Sequence, residues 1–354
     1  MALHAVDDLG DAFAATRAFL LPFEAGRWLR LAVVALFVGG VGGNVPSSGL
    51  QFGGETVEPG GLEPTLPDVT GQVLGLVLLV VAVLLALGLL FGFVGSVMEF
   101  VLVASLREEE VHVRRYFREH WRAGARLFGF RIALALLGVA LVGLPVLALV
   151  FGTGGPAAVD GPGRVFGLLL LLIPLVFLVA LVFSLVDGFT TFFVVPVMLL
   201  EGRGVLASWR RFYATLRAEW REYLVFVVLT FVLTLVAGTA VGIVVGLVAL
   251  VTLGPLVLFG LAGVVTAGVF GPGGIGAASL PALLAVGVLG LLAFLLVLVV
   301  AAVVQVPVVT YFRYYALLLL GDTDTDLDLV PERRRAVRGG DGPGNGDSGV
   351  EPAQ

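Results

Sequence analysis

The chain reads as all-α: a polytopic helical membrane bundle of six transmembrane helices, built as three hairpin units with amphipathic interfacial helices. Three observations predict this. The 354 residues are 59% hydrophobic and 13% charged, with a mean hydropathy of +1.07, whereas roughly a quarter of residues are charged in soluble domains. The apolar runs Val73–Leu106, Phe166–Leu200 and Ala282–Leu320 each exceed the roughly 20 residues that cross a bilayer core. Finally, the 21 basic residues are all arginine, and most come in bursts between such runs, at Met1–Arg30, Arg107–Arg131, Arg203–Arg221 and Arg313–Arg338.

Taken in order, the spans fall at about 28–45, 72–106, 124–151, 165–200, 223–251 and 282–319. Acids precede the first arginine and no cleavage site follows a short apolar core, so the start does not read as a signal peptide. Runs near 35 residues make helices of about 50 Å, longer than the hydrocarbon core, and call for tilt or for protrusion into the cytoplasm. Pro174, Pro196 and Pro307 each kink or end a span. The apolar but glycine-broken stretch 259–270 is open to two readings, a short re-entrant helix or a surface segment.

The connections alternate in charge. Arg107–Arg131 holds seven arginines and four acids, and Glu201–Glu222 holds five and three. By contrast, Asn44–Gly71 carries acids and no arginine, and Val251–Pro281 carries no charge. Short basic connections stay cytoplasmic. The expectation is therefore a cell-membrane, multi-pass protein with both termini inside.

Helical patterning returns within the basic connections. Val205, Leu206, Trp209, Phe212, Leu216 and Trp220 recur every three or four positions, with Arg210, Arg217 and Arg221 on other faces. This pattern suits an interfacial helix, tryptophans at headgroup depth and arginines reaching phosphates. Val111, Tyr116, Phe117 and Trp121 repeat the idea more loosely, with Arg114, Arg118, Trp121 and Arg122 as lipid contacts, and Val6, Leu9, Phe13 and Leu20 give a weaker version. Arg118–Arg122 echoes Arg217–Arg221. The chain thus divides into units of about 1–106, 107–200 and 201–320, a single transmembrane domain 1–320, with 321–354 expected as a disordered cytoplasmic tail. Gly238, Gly242 and Gly246, and likewise Gly88, Gly92 and Ser96, lie four apart, as close helix crossings in lipid require.

Few ionisable groups fall within the spans, where they usually face the bundle or a hydrated cavity. Asp187 shares a helical face with Ser184 and Thr191. Gln305 places a second polar group in the last span. Glu99 lies eight positions before Arg107 and Arg313 eight before Gly321, where their hairpins leave the membrane. That common register puts the two at one depth and predicts an ion pair, the alternative being two side chains that snorkel separately. Arg131 is expected to snorkel.

Chemistry is hard to assemble from the rest. There are no cysteines and only three scattered histidines, so neither a thiolate nor a histidine metal site forms. Phosphate-loop, zinc-protease and nucleophile-elbow motifs are missing. No catalytic residue, cofactor or metal is expected.

The segment Ala5-Val6-Asp7-Asp8-Leu9-Gly10-Asp11-Ala12, leading to Phe23-Glu24-Ala25-Gly26-Arg27-Trp28-Leu29-Arg30-Leu31, resembles an uncharacterised family of haloarchaeal multi-pass membrane proteins. A net charge of −5 with arginine but no lysine accords with a halophile. The alternation of arginine-bearing helices and long hairpins looks like the membrane domain of some glycerophosphodiester phosphodiesterases. Their catalytic barrel is missing from this sequence, so the likeness implies no hydrolysis. Two functions stay open: a non-enzymatic membrane-organising or accessory protein that grips anionic lipid headgroups, or a small transporter or channel with a path near Asp187 and Gln305. Partners on either reading are membrane lipids and a further membrane protein or second copy, not nucleic acid.

Overall fold

The computed structural model describes residues 4–41, 71–152, 162–266 and 280–339. Ten α-helices lie among them: α1 (His4–Leu20), α2 (Ala25–Ala35), α3 (Gly71–Glu108), α4 (Val113–Gly152), α5 (Pro162–Phe189), α6 (Val195–Glu201), α7 (Val205–Ala218), α8 (Trp220–Thr266), α9 (Leu280–Thr323) and α10 (Pro331–Gly339). Two π-helical turns interrupt them, Leu36–Val41 after α2 and Thr190–Val194 between α5 and α6. Five helices, α3, α4, α5 with its α6 extension, α8 and α9, are long and apolar enough to cross a membrane.

The long helices change character along their length. On α3, Leu74 to Leu90 is an exposed apolar surface, whereas Val97, Phe100, Val101 and Val103 are fully buried. The core sits at that second end, where Phe193 to Met198 and Tyr314 to Leu320 are buried as well. Bare leucine and valine on the opposite halves would be untenable in water, but lipid tails cover such a surface at no cost.

Several helices wrap this end. The α1 helix packs on α9, burying Ala5, Asp8, Ala12, Ala15 and Phe19 and exposing Val6 and Phe13. Small residues let α1 approach α9 closely, and of the expected apolar stripe Val6 and Phe13 stay exposed, as on an interfacial helix, whereas Leu20 is buried. Glu222 of α8 accepts the Ala5 N–H at 2.9 Å, satisfying an orphan donor of the first turn.

Further expectations need correction. The α4 helix runs unbroken from Val113 to Gly152, so the second unit has no separate interfacial helix; no glycine or proline interrupts it before Gly124. The helix α8 continues through Pro255 to Thr266, which makes 259–266 part of a long helix, while 267–270 lie outside the described residues. The tail is folded as far as Gly339. Arg338 of α10 pairs with Asp8 (2.8 Å), Asp11 (2.7 Å) and Asp322 (2.6 Å), tying the C-terminal segment to α1. Residues 340–354 lie outside the described residues. Finally, a Cβ at Gly88, Gly238, Gly242 or Gly246 would meet open space, so these glycines make no close crossing. Gly124 does: its Cβ would fall 2.7 Å from the Val97 Cα, so α4 rides directly on the α3 backbone.

Candidate functional site

The buried polar centre of the bundle is built around a proline. Pro196 has no N–H. In the π-helical turn before it, the Val195 N–H bonds to Thr190 O, five residues back. The next bond of that ladder, to Thr191 O, would need the N–H of Pro196. The Thr191 carbonyl is therefore left free by its own helix, and the Arg313 guanidinium of α9 donates to it. Gln305, two turns earlier on α9, donates to Gly39 O at 2.8 Å in the other π-helical turn. A Cβ on Gly39 would lie 2.6 Å from that amide, so a larger residue there would have to displace the Gln305 side chain.

Arg313 also pairs with Glu99 and lies 5.2 Å from the centre of the Phe192 ring. Arg131 of α4 completes the cluster. Its Nε lies 2.9 Å from Asp187 and its Nη2 3.6 Å from Glu99, and it donates to Thr191 Oγ1 at 2.7 Å and Ser96 Oγ at 3.4 Å. Carboxylates and guanidiniums thus alternate in the order Asp187, Arg131, Glu99, Arg313, and their formal charges cancel. Such mutual pairing is how ionised groups persist within a bundle.

Of the residues singled out from sequence, Glu99, Asp187, Thr191 and Arg313 come together. Ser184 is exposed on the outer surface of α5. Gln305 holds Gly39 about 12 Å along α9 from Arg313, so it does not join the Asp187 cluster. The expectation that Arg131 snorkels is overturned, because its guanidinium turns inward to two carboxylates. Ser96, expected at a glycine-type crossing, instead faces Arg131. Pro196 was a partial sequence signal: in an α-helix it would leave the Phe192 carbonyl without its donor, and only the π-helical turn moves that loss to Thr191.

The arginine-bearing helices carry the second set of candidates. Arg114, Arg118, Trp121 and Arg122 on α4, and Arg210, Arg217, Trp220 and Arg221 on α7 and α8, are all exposed. Trp209 departs from expectation. Its indole N–H donates to Thr190 Oγ1 at 3.0 Å, so it packs inward. On α7 the buried face is Val205, Ser208, Phe212 and Thr215, with Phe212 stacked 5.1 Å from Phe193 and set edge-on 5.2 Å from Tyr223. That aromatic cluster pins α7 against the π-helical turn and leaves its arginine face outward.

A family profile, that of a family of unknown function (DUF7544), matches residues 3–330. The chain belongs to that family. No curated protein and no solved structure matches it. The match takes in all four charged residues of the cluster and every exposed arginine named above.

Proposed function

We propose that this family member is a non-enzymatic membrane-organising or accessory protein of the cell membrane, a six-span bundle with both termini cytoplasmic. Its three hairpin units, the first made with the segment from Ala25 through α3, seat an arginine-rich end in an anionic inner leaflet. The observation that carries this reading is the division of charge. Asp187, Arg131, Glu99 and Arg313 neutralise one another inside the bundle, while Arg114, Arg118 and Arg122 of α4, Arg210 and Arg217 of α7 and Arg221 of α8 stay exposed at the packed end. Anionic headgroups attract such clusters by about 1 kcal/mol per arginine near the surface.

A second reading, a small transporter with a path at Asp187, draws on one feature. The π-helical turn Thr190–Val194 begins three residues after Asp187, and such turns are frequent at functional sites. Proton and cation flux into proteoliposomes separates the two. Wild type and Asp187→Asn are expected to match protein-free vesicles; flux that is present in wild type and lost in the variant would establish the transporter instead.

A further inference from the structure

An open groove of about 840 Å³ lies where α2 approaches the start of α4. It is lined by Arg30, His112, Arg114, Arg115, Arg118 and Glu119 among others. Three of the neighbouring acids have other partners. Glu108 accepts from Tyr116 Oη at 2.6 Å, Glu109 pairs with Arg333 at 2.7 Å, and Glu110 lies 3.4 Å from His112. Among the described residues, no carboxylate lies within ion-pair distance of Arg30, Arg114, Arg115 or Arg118. Arg30 spends one N–H on Val111 O at 3.3 Å, which fixes its side chain at the groove wall. Four guanidiniums against Glu119 leave the groove strongly positive, and planar donor forks of this kind match phosphate oxygens.

Depth narrows the ligand. Trp121 is exposed on the same helix, one turn beyond Arg118, about 4.5 Å along the axis. Tryptophan marks the level where acyl chains meet headgroups, so the guanidiniums stand at the level of lipid phosphates. We propose that this groove is a specific site for the phosphate of an anionic lipid headgroup, clamped between Arg30 of α2 and Arg114, Arg115 and Arg118 of α4. The site rests on the membrane-organising reading and sharpens it, because a diffuse basic surface would need neither a groove nor two converging helices.

The test uses the full chain in uncharged detergent, with bound lipid counted by native mass spectrometry. The probes are short-chain phosphatidylglycerol, a carboxylate amphiphile of equal chain length, and inorganic phosphate. The variants are Arg114→Gln/Arg118→Gln and, as an equal loss of charge elsewhere, Arg17→Gln/Arg335→Gln, each checked for wild-type helicity. One tightly held phosphatidylglycerol is expected on wild type and on the Arg17→Gln/Arg335→Gln variant, weakened about tenfold or more on the α4 variant. Equal weakening in both variants, or equal binding of the carboxylate amphiphile, would overturn the groove while leaving a general anionic-lipid preference intact. Inorganic phosphate displacing the lipid at matched concentration would overturn the lipid assignment. Absence of any anionic preference in wild type would remove the groove and the broader reading together.

Discussion

Glu99 on α3 and Arg313 on α9 share one ion pair although their side chains are only 1% and 3% exposed. The pair joins two helices more than two hundred residues apart in sequence, at equal distance from the points where each leaves the apolar zone. Arg131 reaches the same carboxylate, so Glu99 is the hinge of the whole cluster. Glu99→Gln strands Arg313 and is expected to cost about 3–5 kcal/mol, as breaking buried pairs does. Glu99→Gln/Arg313→Gln should cost clearly less than the two single changes summed, because Arg131 keeps Asp187. Unfolding titrations of the four proteins in one detergent measure this; simple additivity would mean the pair carries no coupling.

Glycine matters at one crossing and not at another. Gly124→Ala drives a methyl into the Val97 backbone and is expected to destabilise by about 1–3 kcal/mol, the usual range for overpacking. Gly242→Ala meets open space and should be neutral or slightly stabilising through helix propensity. Thermal midpoints of the two variants decide it, and equal shifts would contradict the α3–α4 contact.

The α1–α10 junction should depend on pH. Burial first, then the charge of Asp322, pushes the Asp8 carboxyl from its ordinary 3.8 up to about 8, against the pull of Arg338; the charge of Asp11 adds to the rise. The folded protein therefore holds a proton that the unfolded chain releases. The contribution of Asp8 to stability is full below about pH 4 and is lost as pH rises through about 8. Asp8→Asn cannot ionise. The wild-type midpoint should fall relative to the variant between about pH 4 and pH 8, and a constant difference would exclude the shift.

The chain contains no cysteine, so single introduced cysteines report topology cleanly. Positions 110, 203 and 335 should react with a membrane-impermeant thiol reagent only from the cytoplasmic side, and positions 58 and 160 only from outside. Labelling of 58 and 110 from one side would break the six-span arrangement.

The sequence made the membrane class legible because apolar length and charge bursts are local properties. The Glu99–Arg313 register was legible for the same reason, as a count from each helix exit. Arg131 was not, since its direction depends on how α4 crosses α3, and that crossing is set by Gly124 rather than by the more conspicuous glycine series. The packed face of α1 was not legible, because Ala5, Ala12 and Ala15 carry no apolar bulk to mark it, while Val6 and Phe13 stay exposed. The tail looked solvated because the partners of Arg338, Asp8 and Asp11, lie at the other end of the chain.

The central claim, that an arginine-rich end is seated on anionic lipid, is tested most directly by the unfolding midpoint of the full chain in nanodiscs with and without anionic lipid, at low and high salt. The account predicts a midpoint that rises with anionic lipid and loses the gain near 1 M salt, where charges are screened beyond about 3 Å. A midpoint indifferent to lipid charge at low salt would contradict it.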